Sequence, residues 1–260
     1  MNNQSNNSII MGKSNNSMLF SVCMLLFIPI STLVSVESTL VDPATILKKA
    51  DKTRTVSGSM KIDVTIEVYK DNQLSNSENF EVFAKGDDKT LIKSYNDDKV
   101  QRLILSVKNN MWVYYPNTRK PLRISPLQRM MGQVSNADIT RINFSGDYTP
   151  ELLRTEAAEG RECYVLQLKL KGEANQTYPK IVYWVAKENF QPVKADFYLI
   201  SGKRLKSAYY EKYKDGVLYK TRIESALRKD QYSLIYYNKM TSEQVPDIYF
   251  NKNYISRLIK

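Results

Sequence analysis

The chain has 260 residues, with 38 Lys or Arg against 27 Asp or Glu, a net charge of +11 and no histidine at all. Without histidine, the Ser-His-Asp and Cys-His nucleophile arrangements and the His-containing zinc sites are excluded. No carboxylate pair stands out from the surface charge, so a glycosidase site has nothing to build on. The chain therefore reads as a binding protein rather than an enzyme, with no catalytic residue, metal ligand or cofactor expected.

The first segment reads as an address. Residues 1–17 are rich in Asn and Ser with a single cation, Lys13, and an apolar run from Met18 to Ile30 follows. Small residues such as Ser31, Thr32, Ser35 and Ser38 come next. That order is the signature of a secretory signal peptide. The apolar run contains Pro29 and falls short of the roughly 20 residues that span a bilayer, which argues against an uncleaved anchor. Cleavage is expected between Ser35 and Thr39, with translation starting at Met1 or Met11. Lys13 and Glu37 cancel, so removal of residues 1–38 leaves the basic charge intact. A basic exported protein suits anionic lipid surfaces, and export argues against nucleic acid. Past the leader only Cys163 remains, so no internal disulfide forms.

Taken in order, the remaining elements begin with a short helix. Asp42-Pro43 gives an N-cap followed by proline at the first helical position, and Ile46, Leu47 and Ala50 fall on one face. After Gly58 the period changes to two. Met60, Ile62, Val64, Ile66 and Val68 alternate with Lys61, Asp63, Thr65, Glu67 and Tyr69, which predicts a strand dry on one side. Strands are predicted at 79–85, 90–95, 100–107 and 111–115, the last two joined by the turn Lys108-Asn-Asn110. The second half repeats the theme near 162–170, 178–186, 193–199, 204–213, 217–227 and 231–240. So many strands with tight turns imply a curled antiparallel sheet.

One interior segment breaks the pattern. Residues 126–142, PLQRMMGQVSNADITRI, fit short helices and a loop, with Met130, Met131, Val134 and Ile139 as an apolar side. Such a flap is a natural cover for a curved sheet. The strand Met111–Tyr115 has no charge on either face, so both of its faces need cover. Trp112 and Tyr114 are either ordinary core or the lining of an apolar hollow beneath the flap. The same choice applies to Trp184 and Phe197. Arg119, Lys120 and Arg123 form either a solvated turn or a cationic rim for phosphate or carboxylate groups. Cys163 reads as a small core residue.

The order of motifs resembles a known family. Gly86-Asp-Asp-Lys-Thr-Leu-Ile92, MWVYYPNTRKPLRIS, the flap ending in Asn136-Ala-Asp138-Ile139, Gly160-Arg-Glu-Cys-Tyr-Val-Leu166, TYPKIVYWVAKENFQPVKADFY, Ser201-Gly-Lys203 and VPDIYFNKNYISRL carry the likeness. Together they resemble the outer-membrane lipoprotein-sorting family, the larger relatives of the periplasmic carrier LolA and its receptor LolB, over about residues 45–258. The resemblance implies a mainly β fold over residues 39–260: one unclosed antiparallel β-barrel of about 11–12 strands, with a few short helices as lid. It implies a periplasmic carrier that accepts acyl chains of lipids or lipoproteins from an inner-membrane transporter and hands them to an outer-membrane acceptor, touching membranes only transiently. Ile62, Val64, Ile66, Trp112, Tyr114, Met130, Met131, Trp184 and Phe197 would then line the hollow or its lid. The family's carriers pin the lid with an arginine early in the sheet; the matching strand here carries Lys89, a point donor that cannot fork as arginine does. A docking module of an export complex, built on the same fold without transport, is the alternative. An integral outer-membrane barrel is disfavoured because 126–142 interrupts the strands and no aromatic residue ends the chain.

Overall fold

Proline fits the first turn of a helix without losing a bond, and an acidic cap supplies the acceptor that turn lacks. In the computed structural model, which describes residues 41–54, 58–86, 88–96, 99–140, 144–172 and 178–259, helix α1 (Pro43–Lys52) starts in this way. The Thr45 N–H donates to the Asp42 carboxylate at 3.0 Å, and Ile46, Leu47 and Ala50 are buried. The segment read as a leader, 1–38, lies outside the described residues.

Strand β1 (Ser59–Lys70) buries Met60, Ile62, Val64 and Ile66 at alternate positions, as period-two patterning requires. It is followed by β2 (Gln73–Lys85), β3 (Lys89–Asn96), β4 (Lys99–Val107), β5 (Asn110–Tyr114) and the two-residue β6 (Leu122–Arg123). The flap holds β7 (Arg129–Met131), β8 (Val134–Ser135) and α2 (Asn136–Thr140), and α3 (Phe144–Asp147) follows it. The second half runs β9 (Tyr148–Ala158), β10 (Arg161–Leu170), β11 (Lys180–Ala186), β12 (Pro192–Tyr198), β13 (Arg204–Lys214), β14 (Val217–Ser225) and β15 (Gln231–Ser242). Two 3₁₀ turns, Asp247–Phe250 and Ile255–Ile259, end the described chain.

All strands except β7 and β8 join one 13-stranded sheet in the order β6-β5-β4-β3-β2-β1-β15-β14-β13-β12-β11-β10-β9. Every pairing is antiparallel, and β1 pairs with β15 to bring the two halves together. The sheet ends at β6 and β9 without closing. Within this sheet, these two strands are the ones the periodicity did not predict. β9 carries Pro150 and a Glu/Leu/Ala composition that reads as helical, and only its place at the sheet edge tolerates the proline.

Register carries one face of the sheet into a single core. Val113 lies opposite Ile104, Ile104 opposite Ile92, Ile92 opposite Val82, and Val82 opposite Ile62. Across the β1–β15 join the same face continues through Ile235, Ile223, Ala208, Ala195, Tyr183 and Leu166. Strands from both ends of the order share one cluster, so the sheet curls around an apolar hollow. On the opposite face, Phe83, Leu91, Leu103, Leu105 and Tyr114 form a second cluster under Val245, Phe250 and Ile255. This arrangement covers both faces of β5: Met111 and Val113 face the hollow, and Trp112 and Tyr114 lie under the 3₁₀ turns.

The flap differs from its expected shape. Its centre is a hairpin, with Met131 opposite Val134, and only the part after Ser135 is helical. Gly132 makes the hairpin possible because its φ of 53° lies in the left-handed region that a side chain disfavours.

Candidate functional site

The flap lies over the hollow and contributes its apolar residues to the main core. Met130, Met131, Val134, Ala137 and Ile139 are all buried there with Ile62, Val64, Ile66 and Phe197. Six of the nine residues expected to line the hollow or lid therefore come together. The other three do not. Trp112 and Tyr114 belong to the second cluster, because they sit on the opposite parity of β5 from Met111 and Val113. Trp184 belongs to a third cluster, with Cys163, Val165, Ala186 and Val193, again on the outer parity. Its indole N–H donates to Glu156 at 2.7 Å, and the Lys194 ammonium lies 4.6 Å from its ring centre.

The cation expected to pin the lid pins something else. Lys89 donates to Asp247 at 3.1 Å, beside Lys85 at 3.0 Å, and so holds the first 3₁₀ turn over the second cluster. The lid is held instead by Lys206 on β13, which is only 4% exposed. Its ammonium pairs with Asp138 of α2 and donates to Ser135 Oγ at 3.2 Å and to the Gln133 carbonyl at 3.3 Å. Asp138 also accepts from the Ser135 N–H at 2.7 Å and from the Tyr178 hydroxyl at 3.2 Å. The Tyr178 ring packs against Phe197 at a tilt of 51°, with ring centres 4.6 Å apart, and the Lys206 ammonium lies 5.3 Å from the Tyr178 ring centre. Burial pulls the Lys206 ammonium below its usual range, and Asp138 opposes that pull. Burial pushes the Tyr178 hydroxyl well above the usual phenol range, with the Asp138 charge adding to the effect.

Two further contacts seat the flap. At the hairpin tip, the Gln133 N–H donates to Ser233 Oγ at 3.0 Å. A Cβ on Gly132 would stand 2.5 Å from both Ser233 Oγ and Val68 Cγ2, so the tip approaches β1 and β15 as closely as glycine permits. Beyond the flap, Asp51 of α1 accepts the Phe144 and Ser145 N–H groups at 3.1 and 2.7 Å and anchors α3.

Beneath the flap lies a small cavity of about 20 Å³, walled chiefly by Phe144, Tyr148, Phe197, Tyr210, Ile235 and Tyr237. Arg54 and Asp138 supply its charge. The sequence carried signals for both missed cations. Lys206 shares strand parity with Ala208 and Tyr210, so it points inward, and Arg54 follows the C-cap of α1, four residues beyond the buried Ala50.

Arg119 is exposed in the loop after β5, and Arg123 is exposed on β6, donating to Asn110 at 2.8 Å. Antiparallel order puts the β5–β6 loop at the same end of the sheet as the β12–β13 and β14–β15 turns. Those turns present Ile200 and Leu227, 94% and 83% exposed, beside Lys203, Arg204, Arg228 and Lys229.

The likeness to known proteins fits this architecture. Over 82% of its length, the chain superposes on 99% of a LolA superfamily protein from Nitrosomonas europaea, with 33% identity and a TM-score of 0.76. The chain belongs to the LolA superfamily. Residues 86–257 match a family described as "Uncharacterized protein". Two more distant structures share the fold. A DUF1329 family protein from Desulfovibrio piger is 22% identical, with a TM-score of 0.68, over 82% of this chain and 98% of that one. An outer membrane lipoprotein-sorting protein domain from Vibrio parahaemolyticus is 18% identical, with a TM-score of 0.66, over 83% of this chain and 98% of that one. No curated protein matches the chain. The open sheet with its lid is thus the LolA-superfamily fold. In this member, Lys206 of β13 secures the lid.

Proposed function

We propose that the protein is a periplasmic carrier that holds acyl chains of lipids or lipoproteins in the hollow beneath its lid, without covalent chemistry. It would receive them from an inner-membrane transporter and pass them to an outer-membrane acceptor. The observation that carries this reading is the lid itself. Its underside is apolar, the sheet below is apolar, and the two are joined by a compact polar latch around Lys206 and by the Gln133–Ser233 hydrogen bond at the hairpin tip. A permanent core segment needs no latch, whereas a segment that trades sheet contacts for cargo contacts needs a defined closed position. Met130 and Met131 suit the exchange, since unbranched thioethers repack against varied partners.

The end of the sheet that bears Ile200, Leu227 and Arg119 supports transient membrane contact. Exposed apolar tips among cations suit an anionic surface, which attracts each nearby Lys or Arg by about 1 kcal/mol. Ile62, Val64, Ile66 and Phe197 would touch the cargo from the sheet, and Met130 and Met131 from the lid. To test the reading, the natively purified protein is extracted and the extract compared by mass spectrometry with that of a delipidated, refolded sample. A carrier yields stoichiometric acyl lipid from the first sample only. Equal, lipid-free extracts would favour a docking module built on the same fold.

A further inference from the structure

A groove of about 150 Å³ opens where the edge of the lid meets the ends of β13 and β14. Leu127 and Arg129 of the lid line one side, and Leu205, Leu227 and Arg228 line the other. No acidic residue is among those that line it. Register explains the arrangement. Arg129 lies opposite Ser135 in the lid hairpin, and Lys206 lies opposite Ser225 in the sheet. Directly opposite residues share a face, so both faces meet at the Lys206 latch, which forms part of the groove wall. Ser225 Oγ also accepts the Leu227 and Arg228 N–H groups, at 3.1 and 3.3 Å, and shapes the turn that carries them.

The two arginines are short of partners. Among the described residues neither joins an ion pair, and Arg228 reaches only the Gln231 carboxamide oxygen, at 3.5 Å. Asp138, the carboxylate of the latch, is taken up by Lys206, Ser135 and Tyr178. The Arg129 charge bears on Lys206 and opposes its protonation, so like charges gather here with no anion between them. Leu227, 83% exposed, stands at the mouth of the groove beside Arg228. A leucine tip that enters the acyl layer of a bilayer holds an adjacent arginine at the level of the phosphates. We propose that this groove is a phosphate site for the head group of a membrane phospholipid, gripped between Arg129 of the lid and Arg228 of the β14–β15 turn while Leu227 enters the acyl layer. Guanidinium groups from two sides suit a tetrahedral phosphate, whose oxygens point in several directions, better than a flat carboxylate. The site rests on the membrane contact of the proposed function and not on what the hollow carries.

The test uses dihexanoyl phosphatidylglycerol, a soluble lipid whose one charge is its phosphate, and inorganic phosphate, each titrated into delipidated protein by calorimetry. The lipid is expected to bind at least tenfold tighter than inorganic phosphate, because only the lipid has apolar groups to meet Leu127, Leu205 and Leu227. Arg129→Gln with Arg228→Gln should weaken the lipid at least tenfold, since each lost charge-assisted hydrogen bond counts. Lys203→Gln with Lys229→Gln, an equal loss of charge on the same rim outside the groove, should change it by less than about threefold, because a monomeric lipid presents no charged surface to the rim. Lipid that binds the arginine variant as tightly as the unaltered protein overturns the site and places the probe in the hollow. Equal losses in the two double variants overturn it in favour of diffuse attraction. Inorganic phosphate that binds as tightly as the lipid overturns the lipid as the source of the phosphate. Failure of the lipid to bind the unaltered protein overturns the groove altogether, and that comparison stands even where a variant does not fold. None of these outcomes depends on whether acyl lipid is extracted from the native protein, so the carrier reading is judged separately.

Discussion

Lys206 and Asp138 illustrate why a buried ion pair is better judged by its breakage than by its presence. Each is enclosed almost completely, with side-chain exposures of 5% and 6%. Removing one partner strands the other, at a cost of about 3–5 kcal/mol, whereas replacing both with apolar groups is often near neutral. Lys206→Met is therefore expected to lower the unfolding free energy by about 3 kcal/mol in urea, and Lys206→Met with Asp138→Leu to recover most of that loss. A double variant as unstable as the sum of the singles would show that the two residues act apart. The tyrosines of the hollow make a second residue-scale prediction. Burial pushes the Tyr210 hydroxyl up to about 12, against the pull of Arg54, from a usual value of 10.0. Between those values the unfolded chain has lost the Tyr210 proton and the folded chain has kept it, so stability falls as pH rises through the window. Each such tyrosine costs on the order of 1 kcal/mol per pH unit. Tyr178 and Tyr183 are also raised by burial and add to the fall. Phenolate absorbance should then appear together with loss of β-sheet circular dichroism above about pH 10. Titration of these tyrosines in a chain that stays folded would contradict their burial.

Among the elements, the lid hairpin is the one that combines tight seating with the movement that the proposed function requires. Each inward Met, Val or Ile contributes about 2 kcal/mol by burial, so opening the lid is costly unless cargo covers the same surface. Gly132→Ala would push the hairpin tip off Val68 and Ser233 and strain a left-handed turn, by about 1–2 kcal/mol. Amides of 129–140 are expected to exchange several-fold faster in this variant, while those of β1 keep their rates. Uniform acceleration would mean that the lid and the sheet open as one unit. Most of this architecture was legible before any coordinates. The alternation of 60–68, the cap at Asp42 and the turn chemistry fixed β1, α1 and the hairpins, because period and turn residues are local properties. The lid's position was legible but its shape was not, since one glycine turned a Met-rich stretch from helix into hairpin. Trp112, Tyr114 and Trp184 were assigned to the wrong face because an aromatic strand looks alike from either side. Only pairing to Leu103, Leu105 and Val165 settles the face. The latch was illegible for another reason: Lys206 meets Asp138 across 68 residues of sequence.

At the scale of the molecule, an open sheet with one apolar hollow, one lid and one rim of exposed apolar tips separates three tasks. Under the proposed function, the hollow stores, the lid admits, and the rim approaches a surface. Ile200 and Leu227 project where the turns carry Lys203, Arg204, Arg228 and Lys229. Ile200→Ser with Leu227→Ser is expected to reduce co-sedimentation with phosphatidylglycerol vesicles at least fivefold without a change in melting temperature, and added salt should weaken what remains. Unchanged sedimentation would place membrane contact elsewhere. The claim that joins these parts is that cargo enters only when the lid lifts. It is tested most directly by locking the lid tip to the sheet with Gln133→Cys and Ser233→Cys, where the Gln133 backbone N–H already meets Ser233 Oγ at 3.0 Å. Cys163 is buried and does not compete for the new thiols. Uptake of a fluorescent fatty-acyl probe is then followed in the oxidised and reduced protein. Uptake is expected to stop on oxidation, at an unchanged or raised melting temperature, and to return on reduction. Uptake at the same rate in both states would contradict it.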